Sequence, residues 1–200
     1  MWKRLEQKNS KKEQQMLISK FSNNDVKDNI SRIENSYGIE LPMDYKEFLN
    51  KYNGGYTPKT KFKIGKVSSD IRGFYGVGKT KLSLDSVNIE EWLEKRVLPI
   101  ACDYYGNYIV IGISKENLGK IFFCDHEKEY NHENVSPNLK SFIKACKSEQ
   151  ISEASKRSIK EREDALIQKG RGNIITDELR KMWQAEIDKY ADMMQEEVMF

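Results

Sequence analysis

Apolar and polar positions alternate most legibly between residues 97 and 127. Three short apolar runs stand there: Val97-Leu98-Pro99-Ile100-Ala101, Tyr108-Ile109-Val110-Ile111-Gly112-Ile113 and Ile121-Phe122-Phe123-Cys124. The segment Asp103-Tyr104-Tyr105-Gly106-Asn107 separates the first two and Asn117-Leu118-Gly119-Lys120 the last two. Glycine and asparagine accept positive φ at little steric cost, so both segments read as turns. Short β-rich runs joined this way predict an antiparallel meander. The middle run is apolar at nearly every position, which predicts burial on both faces, under helices.

Upstream, Val26, Ile30, Ile33 and Tyr37 recur with helical spacing, with Asp25 as the expected N-cap and Gly38 as the C-terminal glycine. A second helix is expected from Pro42 through Tyr52, ended by Asn53-Gly54-Gly55, with Tyr45, Phe48, Leu49 and Tyr52 on one face. The runs Lys61-Phe62-Lys63-Ile64 and Ile71-Arg72-Gly73-Phe74-Tyr75-Gly76-Val77 predict two strands, the first buried on one face, with a turn at Ser68-Ser69-Asp70. A helix between Ser83 and Arg96 would turn Val87, Ile89, Trp92 and Leu93 inward, and Ser136-Pro137 would open a last core helix bearing Leu139, Phe142, Ile143 and Cys146. Residues 1–20 read as a helical or flexible N-terminal extension, 21–148 as the main domain and 149–200 as a charged helical C-terminal extension. In the last, Thr176 caps a helix whose stripe of Leu179, Met182, Trp183, Ile187, Tyr190, Met194 and Val198 needs something to cover it.

Composition narrows the function classes. The chain has 200 residues, 38% hydrophobic and 32% charged, and its net charge of +3 divides into +4 for residues 1–20, +2 for 21–148 and −3 for 149–200. No segment carries the concentrated basic face that nucleic acid demands, so direct DNA or RNA binding is not expected. Cys102, Cys124 and Cys146 are odd in number, widely spaced and set in apolar runs, which fits buried thiols in a reducing compartment. No run approaches the roughly 20 apolar residues of a membrane span, and the N-terminus lacks a signal-peptide core. A cytoplasmic protein is expected, without membrane contact.

Three patterns suggest chemistry and each has a plainer explanation. Cys124, His126 and His132 supply half of a zinc site, but no partner pair stands at ligand spacing, so no metal is expected. Cys102 or Cys124 with His126 and Asp103 or Asp125 could form a thiol–imidazole pair, yet apolar surroundings leave a thiol inert. The span from Gly73 to Gly78-Lys79-Thr80 satisfies G-x-x-x-x-G-K-[ST]. Its interior, Phe74-Tyr75-Gly76-Val77, is made of strand formers and no βαβ alternation follows, which argues against a phosphate loop. No catalytic residue and no cofactor is expected.

The acidic run Asp125, Glu127, Glu129 and Glu133, beside Asp103, Tyr104 and Tyr105, is the best candidate partner surface, since tyrosines among acids suit a basic protein partner. A solvated loop at a strand edge is the competing explanation.

Two motifs carry a family resemblance. Leu41-Pro42-Met43-Asp44-Tyr45-Lys46-Glu47-Phe48-Leu49, continuing to Asn53-Gly54-Gly55, resembles the LPxDYxxFLxxxNGG helix of the SUKH superfamily, the Smi/Knr-type domain. Leu98-Pro99-Ile100-Ala101-Cys102-Asp103-Tyr104-Tyr105-Gly106-Asn107, followed by Gly119-Lys120-Ile121-Phe122-Phe123-Cys124-Asp125-His126-Glu127, is similar to its second motif, with Phe123-Cys124 where tryptophan often precedes Asp-His. The resemblance covers about residues 21–148. It implies an α+β fold, mostly antiparallel sheet packed against helices, and a non-catalytic binding module. Leu41, Pro42, Tyr45, Phe48, Asn53, Gly54, Gly55, Gly106 and Asn107 are its structural positions. Bacterial members imply an immunity protein that occludes a cognate toxin, often a nuclease; a signalling or cell-wall-regulation scaffold is the alternative. Asp103, Tyr104, Tyr105, Asp125, Glu127 and Glu129 are then the candidate partner-binding residues, with Asp103 expected chiefly to hold its turn. Self-association through the C-terminal helix is the other partner expectation.

Overall fold

The computed structural model describes residues 15–200. In chain order the elements are β1 (Leu17–Lys20), α1 (Val26–Tyr37), α2 (Met43–Tyr52), β2 (Gly55–Ile64), β3 (Val67–Phe74), α3 (Ile89–Glu94), β4 (Val97–Cys102), β5 (Tyr108–Gly112), β6 (Ile121–Asp125) and β7 (Asn131–Ser136). Then follow α4 (Leu139–Ala145), β8 (Lys147–Ser148), α5 (Glu153–Lys156), α6 (Ile159–Gln168), α7 (Asp177–Tyr190) and β9 (Glu196–Glu197). Every strand pair is antiparallel, in the order β7-β6-β5-β4-β3-β2-β1-β9, with β8 pairing on β2. This is the α+β architecture that the sequence implies.

The meander β4-β5-β6 is its centre. Ile109 and Ile111 are fully buried in the main core, whereas Val110, on the opposite face, joins Trp92, Val97 and Cys124 in a second cluster. Burying such a side chain completely contributes ~1.5–3 kcal/mol, so β5 is anchored from both sides. On β2, Thr60 and Phe62 are buried while Lys59, Lys61 and Lys63 are exposed, the period-two pattern of a half-buried strand. The sheet curls strongly: β3 and β4 share only Gly73↔Cys102 and Phe74↔Ala101, and Phe62 of β2 meets Phe123 of β6 with ring centroids 6.0 Å apart.

Several local expectations change. Asp25 makes no side-chain cap; it is left-handed and its carbonyl accepts from Asn29 N at 3.0 Å. Gly38 does end α1, with φ +62°. Pro42 is the N-cap of α2 and so lies one position outside the helix. The β2–β3 turn falls at Gly65-Lys66, closed by the pair Ile64↔Val67, so Ser68, Ser69 and Asp70 lie within β3. The expected helix over 83–96 is a 3-10 turn, Leu84–Ser86, followed by the short α3. Asn138 rather than Ser136 caps α4, its side chain accepting from Ser141 N at 2.8 Å, because Ser136 is still pairing in β7.

Residues 1–14 of the expected N-terminal extension lie outside the described residues, and Leu17–Lys20 form an inner strand of the sheet. The C-terminal region is helical, and Thr176 caps α7 as its spacing predicts. Its helices α6 and α7 are joined by the ion pairs Arg162–Glu186 at 2.8 Å and Arg180–Glu163 at 2.6 Å, with the Arg162 guanidinium 5.9 Å from the Trp183 ring, and Arg162 Nη2 also donates to Ser155 O of α5 at 2.7 Å. Of the apolar stripe expected on a final helix, Tyr190 at the end of α7 and Val198 beyond β9 are buried, while Met182 on α7 and Met194 past its end are exposed.

Candidate functional site

The site grows from Asp103, which is 3% exposed although it carries a carboxylate. Its Oδ1 accepts from Tyr105 N at 2.8 Å and Asn107 N at 2.9 Å; its Oδ2 accepts from Asn107 Nδ2 and Ser69 Oγ, both at 2.7 Å. A buried carboxylate is costly unless its lone pairs are met, and four donors meet them here. Gly106, at φ +93°, completes the reversal that a side chain would strain.

Asn107 passes the constraint on. With its amide nitrogen held by the carboxylate, its Oδ1 faces His126, accepting from His126 N at 2.9 Å and lying 2.8 Å from His126 Nδ1. Since that oxygen only accepts, Nδ1 carries the proton. His126 therefore leaves the strand alternation expected of it: the chain turns into a 3-10 helix at His126–Lys128, capped by Asp125 Oδ1 accepting from Glu127 N at 3.0 Å. Beyond it Glu129 and Tyr130 are consecutive left-handed residues, φ 52° and 55°. Each costs ~1–3 kcal/mol, offset by Tyr130 packing on Trp92 and Tyr108 at 5.6 and 5.7 Å.

Around this frame lie two adjoining depressions of about 570 Å³ and 550 Å³, sharing Ser68, Phe123 and Asp125. The β2–β3 hairpin supplies one wall and β6–β7 the other. Tyr105, Asp125 and Glu127 border the same depression, so the structure brings these three candidates together. Tyr104 and Tyr105 are exposed at the tip. Tyr104 faces the C-terminal arm, with Lys189 Nζ 5.3 Å from its ring centroid. Glu129 is exposed but borders neither depression. Asp103 lies beneath the surface and holds the turn. Lys128, 3.0 Å from Asp125, and the Glu127 N–H hold the Asp125 carboxyl below the usual range. Glu127, Glu129 and Glu133 pair with no cation among the described residues. Sequence reasoning missed Ser69 and Lys61 here, because strands distant in the chain meet only when the sheet curls, and it weighed His126 as a metal ligand or thiol partner rather than as the partner of Asn107.

The other motifs resolve locally. Burial pushes the Cys124 thiol up to about 12 and raises Cys102 and Cys146 as well. Cys124 faces the Trp92 cluster while His126 bonds Asn107, so the two do not form a pair. Burial, then Lys95, lowers the pKa of His132. Among the described residues no three His, Cys, Asp or Glu side chains gather as a metal site. In the segment resembling a phosphate loop, the backbone N–H groups are already spent: Gly76 N on Leu82 O, Val77 N on Asn53 Oδ1 and Gly78 N on Asp85 Oδ2, at 2.8–3.0 Å. A phosphate cradle needs such donors open.

Asn53 is the second hub. Its Nδ2 donates to Ser22 O at 2.6 Å and Val77 O at 3.3 Å, tying the end of α2 to both flanking segments. Gly54 and Gly55 follow because backbone fills the side-chain space: a Cβ on Gly54 would stand 2.6 Å from Phe74 O, and one on Gly55 would strike Ser19 O. Leu41, Tyr45 and Phe48 are buried beside them.

A helix pair whose second member is closed by Asn53-Gly54-Gly55, and a turn locked by Asp103, Asn107 and His126, define a fold of the Smi/Knr kind. The chain belongs to the SUKH family described as SMI1-KNR4 cell-wall, whose family model matches residues 27–143. It is similar to the SPbeta prophage-derived uncharacterized protein YokK of Bacillus subtilis (strain 168), 31% identical over 119 residues, which cover 49% of this chain and 60% of that relative. This chain thus spans less than two thirds of the relative's length. No solved structure matches the chain. No helix of the described residues is long and apolar enough to cross a membrane.

Proposed function

We propose that this chain is a cytoplasmic immunity protein that binds a cognate bacterial toxin, a nuclease domain, and occludes it stoichiometrically without catalysis. The observation that carries the reading is the presentation of Tyr104 and Tyr105. Both are exposed, at 51% and 63%, on a turn whose backbone is fixed by the buried Asp103. Exposed aromatics on a pre-ordered loop lose little entropy on binding, the property of an interface anchor. Glu127 borders the same depression as Tyr105 and, with the exposed Glu129 and Glu133, steers a basic partner. Family membership and a prophage-derived relative support the same reading.

Co-expression with the toxic domain encoded beside this chain tests it, with cell survival and a one-to-one complex on size exclusion as readouts. Rescue with a stable complex is expected. Tyr105→Ala should weaken that complex by about 2 kcal/mol, the scale of an interface anchor, and joint reversal of Glu127 and Glu129 to lysine should slow association. Capture of several weak partners with no rescue would replace the immunity reading with a signalling scaffold.

A further inference from the structure

The last residues of the chain occupy a channel bordered by β1, α2 and α4 as a bound strand would. β9 pairs on β1 through Leu17↔Glu197 and Ile18↔Glu196, and Val198 N donates to Met16 O at 2.9 Å. The Tyr52 hydroxyl accepts from Met199 N at 2.9 Å and lies 3.2 Å from Met199 O, to which Lys51 Nζ also donates at 3.1 Å. Val198 is buried in the main core, and the Phe200 ring stacks on Phe48 at 6.3 Å under the ammonium of Lys140, 5.4 Å from its centroid. Main-chain bonds with alternate side chains in pockets are the grammar of strand addition.

What connects this strand to the body is loosely held. Among the described residues after Cys146, Val198 alone belongs to the main core; none of the apolar residues of α5, α6 or α7 does. The arm's ion pairs Arg162–Glu186 and Arg180–Glu163 are internal to it. Its ties to the body near the strand are few: Lys20 to Glu196 at 2.9 Å, Met194 N to Ser19 Oγ at 3.0 Å, Lys189 Nζ over the Tyr104 ring, and the burial of Tyr190. The connecting residues number about fifty, with helices of about 15 and 21 Å in α6 and α7, long enough to reach a neighbouring body.

We propose that this channel is an exchangeable strand site whose occupant, at high protein concentration, is residues 194–200 of a second copy, giving a reciprocal dimer. The channel fits this segment whichever copy supplies it, so exchange keeps every contact, and the self-packed arm moves as the connector. The inference is independent of the toxin reading.

Cysteine cross-linking tests it on the full chain. Leu17 and Glu197 face each other, and the adjacent Val198 N–Met16 O bond makes theirs the close, non-hydrogen-bonded pairing that a disulfide can span. A Leu17→Cys chain and a Glu197→Cys chain are mixed, refolded together, concentrated and oxidised. A disulfide-linked species of twice the chain mass is expected, and adding Val198→Asp to the second chain should abolish it. The double variant Leu17→Cys/Glu197→Cys, oxidised when dilute, reports whether the strand seats normally. If that variant closes internally while the mixture gives no linked dimer, the proposal is overturned. A linked dimer that survives Val198→Asp reflects random thiol collision and overturns it too.

Discussion

Leu98, Ile100, Ile109 and Ile111 are completely buried in the curled sheet, whereas on α7 Leu179, Trp183 and Ile187 are only partly covered and Met182 is open to solvent. The sheet is held by two-sided apolar burial and by buried polar hubs at Asn53 and Asp103. The arm is held by arginine–carboxylate pairs on a half-covered stripe. Hydrophobic burial of this kind is cooperative and is not screened by salt, while ion pairs near the surface are worth little singly and are screened. One chain therefore joins a body packed from both sides, which presents the candidate site, to an arm whose helices are only partly covered.

The largest effect should come from the body. Phe142→Ala removes a fully buried ring that packs on Phe62 at 5.1 Å, and is expected to cost ~3–5 kcal/mol in a urea titration. A loss near 1 kcal/mol would mean the sheet is no better packed than the arm. Next comes Asp103→Ala, which leaves Ser69 Oγ, Asn107 Nδ2 and two backbone N–H groups without their acceptor. About 2–4 kcal/mol should be lost, and nitrogen NMR should show His126 no longer fixed as the Nδ1–H tautomer. Retention of that tautomer would break the relay from Asp103 through Asn107.

Arg162→Ala sharpens the contrast from the other side. It removes the bond to Glu186 and the bond from its Nη2 to Ser155 O at 2.7 Å. Global stability should fall by only about 1 kcal/mol, while amide exchange in α5 and α7 quickens and that in β4–β6 does not. Equal loss of protection in both regions would show them to be one cooperative unit. The effect that is smallest at neutral pH, and grows only above the ordinary thiol value, is alkaline. The fold holds the Cys124 thiol protonated by burial, raising its pKa from 9.0 to about 12. Its contribution is complete below the ordinary value and is lost as pH climbs through that window. Urea midpoints should decline there in the wild type and decline less in Cys124→Ser, and native protein near neutrality should resist thiol reagents.

How much of this the sequence carried depended on the range over which each signal acts. The β4–β6 meander, the Gly38 terminus of α1 and the Thr176 cap of α7 are local patterns and stand where they were expected. β1 was hidden because its few apolar residues follow a polar lysine-rich segment and its partners, Tyr56 and Glu197, are distant in sequence. β9 is Glu-Glu and carries no strand signal at all. β7, Asn131–Ser136, was read as an acidic loop because an edge strand can stay polar. At the site, Tyr104, Tyr105 and Glu127 were legible as exposed chemistry. Asn107 was legible only as a turn former, since its bond to His126 requires β5 and β6 to be paired. Asn53 was read as a helix stop, although its side chain spans to Ser22 and Val77.

The pairing of β1 with β9 also sets how the molecule answers to force. The two strands run antiparallel, so the segment before Leu17 and the segment after Glu197 leave the sheet at the same end. Tension between them opens the rungs one by one, beginning at Val198 N–Met16 O, in the manner of a zip rather than a shear. An unfoldase pulling on the Phe200 side would meet low resistance until β9 and the arm had peeled away, and would next reach β8, whose pairing on β2 marks the edge of the body, with the buried α4 behind it.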